Sequence, residues 1–243
     1  MLSEKGNKVI QIKKLFVAYQ KNNVIEDFSC DFPENQMIGI VGANGSGKST
    51  LLKAIMQIIP YQKGEIQIFG QPIEKVRKRI AYLPQRSSVD WDFPASVLDV
   101  VLMGLYHKVS WFRKFRKEHK DLALSYLEKV KMLDYAKKHI SELSGGQQQR
   151  VFLARAFAQE ADLFILDEPL AGVDVSTEQI IIDLLKELQN DGKSILMVHH
   201  QIESFNDYFD YLLMLKNGKK IAFGKSEEVF VSENIRQLYG LIK

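Results

Sequence analysis

Apolar positions along this chain follow two rhythms, and the change between them marks its organisation. Over residues 8–32 they recur at every second position, in two runs parted by Gln20-Lys21-Asn22-Asn23. That pattern predicts two strands joined by a hairpin loop. Met37-Ile38-Gly39-Ile40-Val41 is a short, wholly apolar run and reads as a buried strand, with Leu51–Met56 as a helix after it. Glu65-Ile66-Gln67-Ile68-Phe69 alternates again, before a turn at Gly70-Gln71-Pro72. Ile80-Ala81-Tyr82-Leu83 is another short strand, stopped at Pro84.

From about Ser96 to Glu142 the spacing becomes helical, first through Val97, Leu98, Val101, Leu102 and Leu105, then through Leu122, Leu124, Leu127, Val130 and Leu133. The strand–helix alternation then resumes. A helix is expected over about 146–160, a buried strand at Leu163–Leu166, a helix over 176–190 and a strand at Ile195–Val198. One amphipathic segment follows around 226–242, and no added regulatory domain is expected. Buried strands alternating with helices predict an α/β fold with a mainly parallel sheet covered on both faces. The early alternating strands predict a smaller antiparallel sheet beside it.

Composition narrows the classes. A chain of 243 residues can bury a full core, as one large domain or two modest ones. The net charge of +3 is too small to argue for nucleic acid. Cys30 is the single cysteine, so an intrachain disulfide is excluded; in the run Phe28, Cys30, Phe32 it reads as a core residue. No window approaches 18 consecutive apolar residues, and the polar start Met1–Gly6 carries no signal-peptide core. The expectation is a soluble, cytosolic protein unless a membrane-bound partner recruits it.

Gly42-Ala43-Asn44-Gly45-Ser46-Gly47-Lys48-Ser49 reads G-x-x-x-x-G-K-[ST], a phosphate-cradling loop between a strand and a helix. Glycines let the backbone wrap closely around phosphate oxygens, and the helix start adds the positive end of its dipole. Lys48 supplies a charge for the β- and γ-phosphates, and the Ser49 hydroxyl suits Mg²⁺. With Thr50 next in line, Gly42–Thr50 are the expected residues of an ATP or GTP site. Leu163–Leu166 end in Asp167-Glu168-Pro169. An Asp at the end of such a strand orders the Mg²⁺ shell, and the adjacent Glu168 is placed to orient or deprotonate the attacking water. A third element, Leu143-Ser144-Gly145-Gly146-Gln147, opens the helix carrying Val151, Leu153 and Ala154, with Ser144 as a natural N-cap.

Leu143–Arg150, Leu-Ser-Gly-Gly-Gln-Gln-Gln-Arg, resembles the signature motif of ATP-binding cassette (ABC) ATPases, and the resemblance extends over nearly the whole chain. It implies a P-loop (RecA-like), mainly parallel sheet core with a small antiparallel β subdomain and a helical insert subdomain. On this basis 1–243 form a single ABC domain: 8–86 and 146–225 as the nucleotide-binding core, 87–145 as the helical part and 226–243 as a C-terminal helical segment. Tyr19 resembles the aromatic that stacks on adenine. Gln85, after Tyr82-Leu83-Pro84, resembles the Gln that touches Mg²⁺ and the attacking water. Asp174 matches the loop that communicates across a dimer, and His200 resembles the switch His at the γ-phosphate; His199 reads as a bystander. Two departures stand out. Gln201 occupies the place where an Asp often follows the switch His, and Gly172-Val173 replace the commoner Ala-Leu before Asp174.

The resemblance further implies a head-to-tail homodimer holding two ATP molecules. Each would be gripped by one subunit's phosphate loop and by Ser144, Gly145, Gly146 and Gln147 of the other. With no membrane segment of its own, such a cassette needs an integral membrane permease, and indirectly a solute-binding protein. Asp90-Trp91-Asp92-Phe93-Pro94, Val97–Val101, Trp111-Phe112-Arg113 and the pair His199-His200 are similar to bacterial importers of manganese, zinc or chelated iron. The aromatic loop Asp90–Pro94 packs inward or lines a partner groove. The basic run Arg113–Lys117 is a solvated helix face or touches anionic lipid headgroups. The expected place is the cytoplasmic face of the membrane. The rival readings are a soluble ABC ATPase acting on nucleic acid or ribosomes, and an exporter ATPase.

Overall fold

The computed structural model describes residues 7–20, 22–109, 114–199 and 208–239. These fall into two units, Met1–Arg77 with Leu188–Lys243, and Lys78–Glu187.

The first unit opens with the expected hairpin, β1 (Lys8–Tyr19) against β2 (Asn22–Pro33), with β4 (Lys63–Ile68) on the other side of β1, all antiparallel. Alternation sends Ile10, Ile12, Leu15 and Val17 inward beside Ile25, Phe28, Cys30 and Phe32. The periodicity is interrupted where Lys14 and Asp27 take positive φ (46° and 47°), and the pairing register shifts between Ile12 and Leu15. β1 runs to Tyr19 and β2 starts at Asn22, so the connection is shorter than the four-residue loop expected. Gln20 turns it at φ 55°. Cys30 is buried, and burial pushes its thiol up to about 12.

The same unit holds the phosphate-loop strand β3 (Met37–Val41), flanked by β7 (Ser194–Val198) and β8 (Tyr211–Lys216), both parallel to it. All five β3 residues are buried. Each Ile or Val so removed from water stabilises the fold by about 1.5–3 kcal/mol, which is why this strand reads as a continuous apolar run. β9 (Lys219–Lys225) pairs antiparallel with β8 across Asn217-Gly218, both at positive φ. α1 (Lys48–Ile55) follows β3. The short α2 (Ile73–Val76) follows β4.

In the second unit β5 (Ile80–Leu83) and β6 (Leu163–Asp167) form a parallel pair. Three helices pack on one another: α3 (Val97–Met103), α4 (Lys117–Lys129) and α5 (Gly145–Ala158). Val97, Val100 and Val101 of α3, Ala123 and Leu127 of α4, and Val151 and Leu153 of α5 are buried. Ser96 and Asp99 close a reciprocal cap on α3, so that helix starts where the Ser-x-x-Asp pattern places it. The helical rhythm overshoots at Leu133, which is 40% exposed in a short 3₁₀ turn rather than in the core. α6 (Val175–Asn190) follows β6. The stretch 87–145 thus lies inside a unit that also takes β5, β6, α5 and most of α6. The tail folds as α7 (Ser226–Val229) and α8 (Ser232–Tyr239). Among the described residues no helix is long and apolar enough to cross a membrane.

Candidate functional site

The phosphate loop is built mainly of backbone. β3 ends at Val41, and the chain turns through Gly42–Gly47 into α1. Gly47 caps that helix at φ 104°, in the left-handed region, with no side-chain hydrogen bond of its own. At Gly42 a Cβ would stand 2.2 Å from the Leu215 carbonyl oxygen and 2.6 Å from the Ser46 Oγ, so only glycine fits. With no side-chain cap on the helix start, the dipole of α1 favours an anion at the loop. Lys48 is buried, and its Nζ donates to the carbonyls of Gly42 (2.9 Å) and Ala43 (3.0 Å). The ammonium is thereby held over the loop. The Ser46 Oγ is buried in the same loop and has no hydrogen-bond partner among the described residues. An orphaned hydroxyl beside a cation and a glycine cradle suits a group rich in acceptor oxygens. Ser49 and Thr50 lie in the first turn of α1. Tyr19, at the end of β1, is 45% exposed, a flat surface open to stacking.

The other predicted residues gather around a cavity of about 650 Å³ in the second unit. Gln85, Ser144, Gly145, Gly146, Gln147, Glu168 and Asp174 all line it. Ser144 caps α5 reciprocally: its Oγ accepts from the Gln147 N–H (3.4 Å) and the Gln147 Oε1 accepts from the Ser144 N–H (2.9 Å). Gly146 is required by a close approach, since a Cβ there would lie 2.7 Å from the Gly172 carbonyl oxygen. The loop before Asp174 and the start of α5 are thus in direct contact.

Asp167 ends β6 and is fully buried. The Tyr82 phenol is pushed up to about 12, first by its own burial and then by the Asp167 charge. Glu168 turns away from it at φ 55°. A non-glycine residue in that region stores strain of order 1–3 kcal/mol, a feature that concentrates at functional sites. The turn is held by Gln149, a buried side chain whose Nε2 donates to the Glu168 carbonyl at 3.2 Å. Asp174 accepts from the Ser176 hydroxyl (2.5 Å), the Thr177 N–H (3.0 Å) and the Thr177 hydroxyl (2.9 Å). The Ser176 bond first, and the Thr177 bonds with it, hold its carboxyl well below the usual carboxylate range.

His200 and Gln201 lie outside the described residues. His199 is buried and packs beside Phe209 at 5.9 Å between ring centres. Among the described residues there is no group of three or more His, Cys, Asp or Glu arranged to hold a metal ion. Four residues of this region escaped the sequence reading. Arg86, Arg150 and Thr177 line the cavity, and Gln149 supports Glu168. Arg86 and Thr177 were legible as neighbours of Gln85 and Asp174; Gln149 and Arg150 lay inside the motif run itself. The arrangement puts two cations, two carboxylates and a glycine-bearing helix start around one cavity. Such a wall suits a charged, oxygen-rich ligand.

Comparison with known proteins agrees with this geometry. The ABC transporter family matches residues 25–171. The manganese transport system ATP-binding protein MntB of Bacillus subtilis (strain 168) is 51% identical over 231 residues, 95% of this chain and 92% of that protein. The zinc transport system ATP-binding protein TroB of Treponema pallidum (strain Nichols) is 48% identical over 95% of this chain and 86% of that protein. Among solved structures, an inward-facing metal-chelate type ABC transporter superposes with a TM-score of 0.82 at 28% identity, covering 96% of this chain and 89% of that one. A dimeric ATP-binding cassette, MJ0796, in a post-hydrolysis state with ADP and Pi superposes at 0.80 with 26% identity, covering 89% and 98%. The α/β fold with its phosphate loop, its reciprocally capped helix and these relatives lead to one assignment: the chain belongs to the ATP-binding cassette family of ABC transporters.

Proposed function

We propose that the chain is the ATP-hydrolysing subunit of an importer that moves a divalent metal, manganese or zinc, through a separate permease. One observation carries the ATPase part: Gln85, Ser144–Gln147, Glu168 and Asp174, drawn from three separate segments, line one cavity. The solute is argued from the manganese and zinc systems to which the two similar relatives belong.

In this reading the phosphate loop Gly42–Thr50 holds the nucleotide, Lys48 meets its β- and γ-phosphates, and Tyr19 stacks on the base. Ser144–Gln147 face the γ-phosphate of nucleotide bound by a second copy, with the Gly145 and Gly146 N–H groups, which the Ser144–Gln147 cap does not use, as the donors. Asp174 extends the contact between copies. Glu168 orients or deprotonates the attacking water, and Gln85 and His200 sense the γ-phosphate. Mg²⁺ fits the donor set, because Ser49, Gln85 and Asp167 offer only oxygen and Asp167 is a fully buried carboxylate. When bound, the ion would neutralise charge on the transferring phosphoryl group.

A two-fold pair has two equivalent sites. Nucleotide that touches both copies binds the closed pair better than the open one, so ATP favours closure and hydrolysis releases it. A permease gripping both copies would be driven through the same cycle at the cytoplasmic face of the membrane.

The test is isolation from membranes together with uptake. The chain is expected to co-purify with an integral membrane protein, to release phosphate from ATP, and to be needed for radioactive manganese or zinc uptake by cells. Co-purification with ribosomes or DNA instead, and unchanged uptake after its deletion, would contradict the reading.

A further inference from the structure

We propose that Arg86 is a positioning residue that fastens the loop carrying Gln85 to the first turns of α5. The proposal rests on the reading of Ser144–Gln147 as a phosphate-binding helix start.

Arg86 Nη2 and Nε both donate to Gln148 Oε1, at 3.0 and 3.3 Å. Gln148 is buried, and its own Nε2 donates to the Ile140 carbonyl at 3.2 Å, so the acceptor is fixed from its other side. The guanidinium lies against the helix start. A Cβ at position 145 would be 2.7 Å from Arg86 Cζ. Gly145 thus makes room for the arginine as well as starting the helix.

A second grip follows one turn later. The Arg86 carbonyl accepts from Trp91 Nε1–H at 3.0 Å, and the Trp91 ring packs on Phe152 with centroids 4.7 Å apart. Arg86 also sits over the same indole, 5.8 Å from its centroid. Positions 145, 148 and 152 follow at helical spacing, so they form one face of α5. Residues 86 and 91 therefore hold one helix face along about two turns.

The consequence concerns geometry at the reacting phosphate. Gln85 precedes the clamp directly, and Ser144 precedes the helix it grips. Fixing Arg86 on Gln148 fixes the spacing between the Gln85 amide and the N–H groups of the α5 start. Misplacement of about 1 Å at such groups costs about a hundredfold in rate. Arg86 itself is a support, with its guanidinium spent on Gln148 and Trp91.

The experiment uses the full chain without nucleotide and then with ATP. Hydrogen exchange is read at the Gln148 amide, which donates to the Ser144 carbonyl at 2.9 Å. In Arg86→Ala this exchange is expected to rise about tenfold, and kcat to fall about tenfold. ATP affinity should stay within about twofold, because the phosphate loop sets it. Gln148→Ala should reproduce the kcat loss, and the double variant should be no worse than either single one, the mark of a shared contact. Arg86→Lys should recover part of the rate.

Unchanged exchange in Arg86→Ala overturns the clamp. So does a double variant whose losses multiply, or a kcat equal to that of the parent. A parent chain without ATPase activity would contradict the proposed function, while the exchange measurement would still decide the clamp.

Discussion

The phosphate loop and the cavity at the start of α5 both prepare a place for phosphate, by opposite means. The loop is one contiguous segment whose donors are backbone N–H groups, set by glycines at Gly42 and Gly47 and by a buried strand behind them. The cavity is assembled from three segments that are far apart in sequence. In the proposed function the first is a preformed binding device that rests on its glycines and Lys48. The second is a catalytic device, in which Glu168, Gln85 and Ser144 each have a separate task. Damage to the first should therefore appear in affinity, and damage to the second in turnover.

The largest effect expected is at Glu168. Glu168→Gln keeps the shape of the turn held by Gln149 but removes the base, so steady-state phosphate release should fall by about 10²–10⁴-fold. ATP binding should persist, and light scattering should show a trapped dimer. Parent-like turnover would remove Glu168 from its role and erase the contrast between the regions.

Lys48→Ala comes next. It removes the ammonium held over the loop, and a charge-assisted contact is worth about 1.5–3 kcal/mol. Calorimetry should give ATP affinity weaker by roughly tenfold to a hundredfold. Equal affinity in the variant would mean that backbone donors alone suffice.

Ser144→Ala is smaller. Loss of an N-cap costs about 0.5–2 kcal/mol, so α5 should loosen at its start and turnover should drop severalfold. Binding of ATP to the isolated subunit should not change. A parallel loss of affinity would place the two regions in one device.

The smallest effect concerns Asp174 and acid. Its carboxyl is held below its ordinary value of 3.8, so its bonds to Ser176 and Thr177 support the start of α6 fully above that pH. The support fades as pH falls below it, towards the lowered folded value. Asp174→Asn should flatten this limb of an acid-unfolding curve followed by circular dichroism. An unchanged limb would show that the three bonds do not matter to stability.

The difference between the regions also explains what could be read from the sequence. The loop motif is local, and its setting between a five-residue apolar strand and a helix was visible beforehand. α1 begins at Lys48, directly behind the loop as its dipole role requires; the left-handed Gly47 sets that start, three residues ahead of the apolar run at Leu51. The β8–β9 hairpin was missed, although Asn217-Gly218 is a strong turn pair. The four-residue hairpin loop after Tyr19 proved shorter, since a positive φ at Gln20 tightens the turn. For the cavity, Ser144–Gln147 and Glu168 were legible through motifs. Their meeting with Gln85 and Asp174 was legible only through resemblance, because no local pattern encodes contact between distant segments. Arg86 shows the limit most clearly. Its fork onto Gln148 spans 62 positions and has no periodic trace.

A mixing experiment tests the central claim most directly. Chains carrying Lys48→Ala are combined with chains carrying Ser144→Ala, and phosphate release is followed. If each nucleotide is held by the loop of one copy and the α5 start of the other, a mixed pair has one doubly damaged site and one intact site. Activity should then exceed the average of the two variants measured alone, by up to about a quarter of the parent value when pairing is random. Activity that stays at the average of the two variants would place both lesions in separate sites and contradict the account.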